Sequence, residues 1–415
     1  MLIDNETGFP DYWSTLFSIT QHRSKGDAAN TIEQVLRHLI ILKLFLKNYK
    51  INGIDLENRI DQGKILHLHE IEYLCDLCKL YLEDIREEVK TENQKQSLTL
   101  KSLEAFRSKD STNCFKTVGS DTVAQRIRQI RDFLVWIANV HMARLAESDP
   151  ILNILRESQS QVKTTMTSRI PSSSSGSSSE APMGLSDEST DVLLSIINRN
   201  SPDNPWKSEF TKVRNELIIL WLYTFGLRKG ELLSIKISDI DFRAETVQLV
   251  RRPDDPQDPR VTQPLVKTLG RKLAIPKKII SLTENYIIEH RKLLPKSKKH
   301  EYLFVADKSG SPLSLVAVNK LFNKIKQFSP EILKNLTPHI LRHSWNDRFS
   351  AKMDEKNISE EKEKKIRSQL MGWSESSNSA ATYTKRHTQT KANEVILEMG
   401  NEQLNRSYKD TGDKK

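Results

Sequence analysis

Cysteine is scarce in this chain, with three residues among 415. That excludes a disulfide framework and makes a reducing compartment the expectation. Long apolar runs are missing too. The stretch 217–222 is among the longest and falls far short of the ~18 residues that span a bilayer, so no membrane partner is expected. Residues 1–6 lack the basic-then-apolar order of a secretion signal, which makes the cytoplasm the expected location. There is no glycine-rich phosphate loop and no persuasive metal cluster. The nearest approach to a cluster is His67, His69, Cys75 and Cys78. Cys-x-x-Cys beside histidines suits zinc. However, Ile71, Leu74, Cys75, Cys78, Leu82 and Ile85 form one helical stripe, which turns both cysteines toward a core. Neither a metal nor a cofactor is expected.

What is present is positive charge. A formal net charge of +10 favours a polyanionic partner and is silent on fold. The length allows two or three domains, each with its own core. Residues 1–157 read as all-helical. An aromatic arm with Phe9, Tyr12, Trp13 and Phe17 leads to apolar residues at helical spacing over 28–49, 69–85 and 122–147. On the last of these helices Arg128 and Arg131 share a face and Arg126 flanks them. That places them either near a phosphate backbone or on an ordinary solvated face. Residues 158–186 shift abruptly to serine and predict a flexible linker, a tether that lets two modules close around opposite sides of an elongated ligand.

Beyond the linker, helices are predicted over 187–198, 210–225, 279–293, 316–328 and 338–351. Short strands are predicted over 236–242, 246–250, 263–266 and 273–276. The fold class is therefore mainly α with a small antiparallel sheet in the second module, 187–400. Residues 401–415 read as a polar tail. The charged stretch 354–365 reads as an added helical turn or two with a solvated face. The acidic loop 254–258 is an extra excursion in the sheet to which the sequence assigns no role.

The chemistry concentrates between residues 337 and 383. Thr337 followed by Pro338 opens a helix, on which His339 and Arg342 lie three apart and share a face. Gly372 and Trp373 follow, then Tyr383. A guanidinium that grips anionic oxygens, an imidazole that moves a proton and a hydroxyl that attacks suit chemistry on a phosphate diester. The order resembles the end of the catalytic domain of the tyrosine recombinases, the phage integrase family.

That resemblance implies an earlier arginine in a helical turn and a lysine on a hairpin. Arg228, just after Gly226, fits the first, with Glu231 one turn further on as a supporting group that orients its neighbours. Lys267 fits the second. Lys272 lies on the same hairpin, and the family's placement of its lysine before the turn favours Lys267. Trp373 stands where many members have histidine; its indole N–H donates but cannot shuttle a proton. The spacing from Trp373 to Tyr383 is one residue longer than is usual in the family. His343 points about 100° round the helix from Arg342 and is expected to pack against the domain, outside the catalytic set.

By this resemblance the chain is a site-specific DNA recombinase, a tyrosine-type strand transferase that integrates or excises a mobile element. Tyr383 attacks phosphorus to form a 3′-phosphotyrosyl link while His339 accepts its proton. Arg228, Arg342 and Trp373 hold the oxygens, and Lys267 protonates the departing 5′-oxygen. The partners implied are duplex DNA, further copies in a homotetramer on two sites, and accessory DNA-bending or directionality proteins, with the protein at the nucleoid. Two alternatives stay open. One is a type IB topoisomerase-like or telomere-resolving enzyme; the other is a catalytically silent DNA-binding protein of the same fold.

Overall fold

Apolar residues at helical spacing build the first unit, Met1–Ser178. The computed structural model describes residues 1–4, 7–49, 53–86, 116–172, 183–374, 377 and 379–409. In the first unit these form α1 (Tyr12–Phe17), α2 (Ala29–Asn48), α3 (Leu56–Asp61), α4 (Leu68–Leu77), α5 (Ser120–Met142) and α6 (Pro150–Ser168). Leu39 and Phe45 of α2, Leu74 of α4, and Ile127 and Leu134 of α5 meet in one core. Cys75 and Cys78 lie in it as free thiols, and burial pushes the Cys75 thiol up to about 11.

Two expectations for this half need correction. The aromatic arm does not pack as a whole: Trp13 and Phe17 are buried while Phe9 and Tyr12 are exposed, because Phe9 precedes the helix and a one-and-a-half-turn helix turns only one face inward, away from Tyr12. Residues 158–168 are not linker. Asp149 caps α6 and Pro150 occupies its first turn. The helix then runs through the polar stretch because Val162 and Met166, spaced by four, reach the core with no exposure. Even Ser158 is structural, its Oγ accepting the Ile65 N–H at 3.0 Å. Residues 173–182, the rest of the serine-rich stretch, lie outside the described residues.

The second unit, Ser179–Lys415, contains α7 (Asp187–Ile197), α8 (Glu209–Phe225), α9 (Lys229–Ser234), β1 (Ile240–Asp241), β2 (Thr246–Leu249), β3 (Arg271–Ala274), α10 (Lys277–Asn285), α11 (Leu315–Phe328), α12 (Pro338–Glu355), α13 (Glu360–Met371) and α14 (Ser379–Lys409). Mostly helix around a small antiparallel sheet is the architecture the sequence predicts. The sheet runs β1-β2-β3. Its register sets Val247 opposite Ile240 and Leu273, and Leu249 opposite Arg271, so one face closes over the core around Trp221 and Leu222 of α8. Arg271 is the exception, a cation at an inward position, and its partner belongs to the site described below.

Differences lie in the irregular parts. Residues 263–266 form no strand, and Ile237–Asp239 turn in a 3-10 helix rather than extending the sheet, Lys236 forming an isolated antiparallel bridge with Tyr302. Helix α14 continues to Lys409 and takes in residues expected as tail. The acidic loop lies in the long connection between β2 and β3, and its carboxylates tie it down. Asp255 pairs with Lys236 at 2.9 Å and accepts the Tyr302 hydroxyl at 3.0 Å. Asp258 pairs with Arg260 at 2.7 Å, and that guanidinium lies 4.4 Å from the Tyr302 ring centroid. The carboxylates thus fold residues 254–260 back on the domain, a short way before Lys267. The stretch 354–365 is not all solvated either, because Glu363 is buried.

Candidate active site

Two glycines set the geometry. Gly226 ends α8 in the left-handed region at φ 60°, where a Cβ would meet the Trp345 ring at 2.9 Å. The turn delivers Arg228 to the start of α9, and the Arg228 N–H donates to Glu231 Oε2 at 2.7 Å. Gly372 ends α13 in the same way at φ 65°, with a Cβ there 2.7 Å from Leu269 O and Arg271 Nη1. Its carbonyl accepts the Leu269 N–H at 2.9 Å. The segment that carries Trp373 is thereby stitched to the loop that carries Lys267.

Glu231 is the hub. Its side chain has no exposure, yet Arg271 Nη1 lies 3.1 Å from Oε1, Arg342 Nη1 3.7 Å from Oε2 and Arg228 Nη1 3.9 Å from Oε1. The Thr268 hydroxyl also donates to Oε1. Burial alone would raise the carboxyl pKa. Arg271, then Arg342, then the Thr268 bond outweigh it and hold the pKa below the ordinary value.

Arg342 is 1% exposed. It donates to Gly226 O at 2.7 Å and Met371 O at 3.4 Å, so it bridges both glycine turns. Desolvation, followed by the Arg228 charge, pushes its pKa down to about 10, which still leaves it protonated at neutral pH. Thr337 caps α12 through the Ile340 N–H at 3.1 Å, and Pro338 follows at the first turn.

Tyr383 reaches this cluster from α14. Trp373 stacks on its ring at 5.6 Å with 10° between planes, and the Arg342 guanidinium lies 5.3 Å from the Trp373 centroid. The Tyr383 hydroxyl meets His343 Nδ1 at 3.0 Å. Here the geometry departs from the expectation for His343: the imidazole on the tyrosine hydroxyl is His343, and His339 lies behind it with ring centroids 4.5 Å apart. α14 packs on the flank of α12 that bears His343, and sequence spacing does not reveal which flank a later helix will choose. The i,i+4 spacing of His339 and His343 was the available signal. His339 stays exposed. Partial desolvation, then Arg342 and Arg228, lower its pKa, which keeps it neutral at physiological pH. Burial raises the Tyr383 hydroxyl, opposed by Arg342, Arg228 and Arg367.

The site therefore brings together Arg228, Glu231, Arg342, Trp373 and Tyr383, with His339 at its rim. Lys267 is exposed; its neighbour Thr268 is anchored on Glu231, while its ammonium enters no ion pair among the described residues. Lys272 is exposed on β3, strand-paired with Gln248. Arg126, Arg128 and Arg131 belong to the first unit. Arg126 Nη1 donates to the Cys78 carbonyl at 3.0 Å and to that of Leu80, and Arg131 is tied to Asp132 and Thr167. Of the three, only Arg128 is exposed. Two site donors, Arg228 Nη1 and Trp373 Nε1, are buried without a hydrogen-bond acceptor among the described residues. Polar groups in that state are rare unless a ligand or water completes them.

A tyrosine hydroxyl on an imidazole, flanked by clustered guanidiniums on a helical domain, is an arrangement chemically suited to attack on a phosphate ester. Residues 191–390, a little under half of the chain, match the model described as the Phage integrase family, so the second unit carries a domain of that family, the tyrosine recombinases. It is 28% identical over 224 residues to tyrosine recombinase XerD of Halalkalibacterium halodurans, covering 54% of this chain and 60% of that protein. It is 31% identical over 150 residues to transposase A from transposon Tn554 of Staphylococcus aureus, covering 34% and 39%. The chain thus spans about half the length of the curated relatives it matches. Among solved structures it resembles the Tn1549 transposon integrase in complex with transposon right end DNA, at 15% identity and a TM-score of 0.49 over 93% of this chain and 100% of that one. No described helix is long and apolar enough to cross a membrane.

Proposed function

We propose that the chain is a site-specific DNA recombinase that cleaves and rejoins duplex DNA through a 3′-phosphotyrosyl intermediate, serving integration or excision of a mobile element. The observation that carries this reading is the 3.0 Å contact between the Tyr383 hydroxyl and His343 Nδ1, inside a cluster that also holds Arg342 and Trp373. The hydroxyl passes its proton to His343 as Tyr383 Oη attacks phosphorus. Arg228, Arg342 and Trp373 donate to the non-bridging oxygens as their charge grows. The bond from phosphorus to the 5′-oxygen breaks, and Lys267 gives that oxygen a proton. The 5′-hydroxyl of the exchanging strand then attacks the link in reverse and returns Tyr383 to its free form, so the diester is conserved. His339, neutral and at the rim, donates to an oxygen from the open side.

Lys229 of α9, Asn319, Asn323 and Lys326 of α11, Thr337 and His339 line one depression with Arg228, a surface suited to a DNA backbone. Arg128 remains as a phosphate contact from the first unit. Further copies of the chain assemble on two DNA sites, as a homotetramer. Val395, Ile396, Leu397 and Met399 are exposed on α14, apolar surface that a neighbouring copy covers. Accessory DNA-bending or directionality proteins, and a place at the nucleoid, follow from the same reading.

The test uses duplexes taken from the DNA that flanks this reading frame. The wild-type chain is expected to form a denaturant-resistant protein–DNA adduct, and Tyr383→Phe to bind the same duplex without forming one. An adduct retained by the Phe variant would place the nucleophile elsewhere. Exchange between two duplex sites, rather than relaxation of one plasmid, separates a recombinase from a topoisomerase-like enzyme. A wild-type chain that binds and never traps DNA would be the silent member.

A further inference from the structure

Helix α13 carries a buried ion pair that none of the recombinase motifs uses. Glu363 and Arg367 lie four apart and so share a face, and their side chains are 5% and 0% exposed. Arg367 Nη2 donates to Glu363 Oε1 and to Ser350 Oγ of α12, and Ser350 in turn donates to Glu363 at 3.0 Å. The rest of the guanidinium is left over. Nε and Nη1 are buried with no hydrogen-bond partner among the described residues. The Arg367 Cζ instead lies 5.1 Å from the Phe349 ring centroid and 5.8 Å from that of Tyr383. An ion pair kept only for packing is expected to be hydrogen-bonded throughout. This one turns part of its charge toward aromatic rings.

We propose that Arg367 is a positioning residue for the nucleophile: held by Glu363 and Ser350, its guanidinium favours the ionised form of the Tyr383 phenol. The inference rests on the reading of Tyr383 as the attacking group. A phenolate ring carries more electron density than a phenol ring, so its attraction to the cation grows as the proton leaves. That growth is what separates an interaction that promotes attack from one that merely packs. Among the described residues, the other groups facing Tyr383 include Arg342 and His343 of α12, Arg228 before α9, and Trp373. Under the proposed function a bound phosphate draws on Arg342 and Arg228. Arg367, with no exposure, keeps its charge for the ring.

The experiment needs no DNA. The full chain is labelled with 3-fluorotyrosine, and the Tyr383 resonance is identified by its loss in Tyr383→Phe. Its titration is then followed by fluorine NMR. In the double variant Glu363→Met, Arg367→Met, which leaves no orphan carboxylate, the midpoint is expected to rise by about half to one pH unit. In Glu363→Gln, where Arg367 is no longer neutralised, the midpoint is expected to fall, and Arg367→Lys is expected to lie between wild type and the double variant. Opposite shifts in the two charge variants are an outcome that a packing role does not produce. A midpoint that is unchanged or lower in the double variant, or that moves the same way in both, overturns the proposal. Should the double variant not fold, an unchanged or raised midpoint in Glu363→Gln overturns it alone. A failed titration removes Arg367 and leaves Tyr383 to the adduct assay, so the two readings stand or fall separately.

Discussion

Arg342 and Lys267 serve one proposed reaction from opposite extremes of burial. Arg342 is 1% exposed, fastened to two backbone carbonyls and packed over Trp373. Lys267 stands exposed on a loop, and only its backbone neighbourhood is anchored, through Thr268 on Glu231. The difference follows from what each group has to do. A guanidinium that steadies a charged transition state works best when it is already in place, because any reorganisation at that moment adds to the barrier. A proton donor to a leaving oxygen must meet an atom that arrives with the DNA, and an ammonium on a flexible stem suits that task. The buried half of the site is therefore part of the fold, and the exposed half awaits its substrate.

The sharpest way to break this contrast is to remove the hub. Glu231→Gln keeps the volume and loses the charge that Arg271, Arg342 and Arg228 surround. Leaving buried cations unpaired costs about 3–5 kcal/mol, measurable as a lowered denaturation midpoint. The sign with pH is fixed by the depressed carboxyl. Its contribution is complete above the ordinary glutamate value of 4.5 and is lost as pH falls through the still lower folded value. Wild type and Glu231→Gln should thus converge in stability under acid. A constant difference down to low pH would mean that the hub acts through packing alone.

Paired substitutions sharpen the contrast at a smaller scale. Arg342→Lys gives up the bonds to Gly226 O and Met371 O, so stability should fall by about 1–3 kcal/mol along with cleavage. The Arg228 side chain is 31% exposed. Arg228→Lys should therefore lose cleavage while its stability changes by no more than about 0.5 kcal/mol. Equal stability losses in the two variants would erase the distinction between a guanidinium built into the core and one offered to the ligand.

How far the site was legible in the sequence follows the same division. Arg228, Arg342 and Tyr383 stand in motifs because their backbones are fixed by local signals, Gly226 before the first and the Thr337–Pro338 cap before the second. The strand 246–249 and helices such as α11 followed from periodicity. What escaped was settled by which elements pack together. His343 met Tyr383 because α14 chose that flank of α12. Glu363 looked solvated because the face it buries with Arg367 is ionic, and α12 too buries Arg342, His343, Ser344 and Asn346. A polar buried face leaves no apolar period to read. Val162 and Met166 were overlooked for the converse reason, two apolar residues diluted in a serine-rich stretch.

The smallest structural effect, and the most specific chemical one, is expected at Lys267. Its side chain is exposed and unpaired among the described residues, so Lys267→Ala should change stability by less than about 0.5 kcal/mol. Loss of a general acid typically slows the step it assists by about 10²–10⁴-fold, and adduct formation should slow accordingly. That slowing alone does not distinguish protonation of the leaving group from a lost phosphate contact. Replacing the bridging 5′-oxygen of the duplex with sulfur does. A thiolate, whose conjugate thiol has a pKa of about 8.5, departs without being protonated, whereas an alkoxide needs the proton. On the sulfur-bridged duplex Lys267→Ala should cleave at nearly the wild-type rate, while Arg342→Lys, which has lost a grip on the non-bridging oxygens, should stay slow. If sulfur restores neither variant, Lys267 acts as a cation on the phosphate. If Lys272→Ala rather than Lys267→Ala is the variant restored, the acid stands on β3, after the turn.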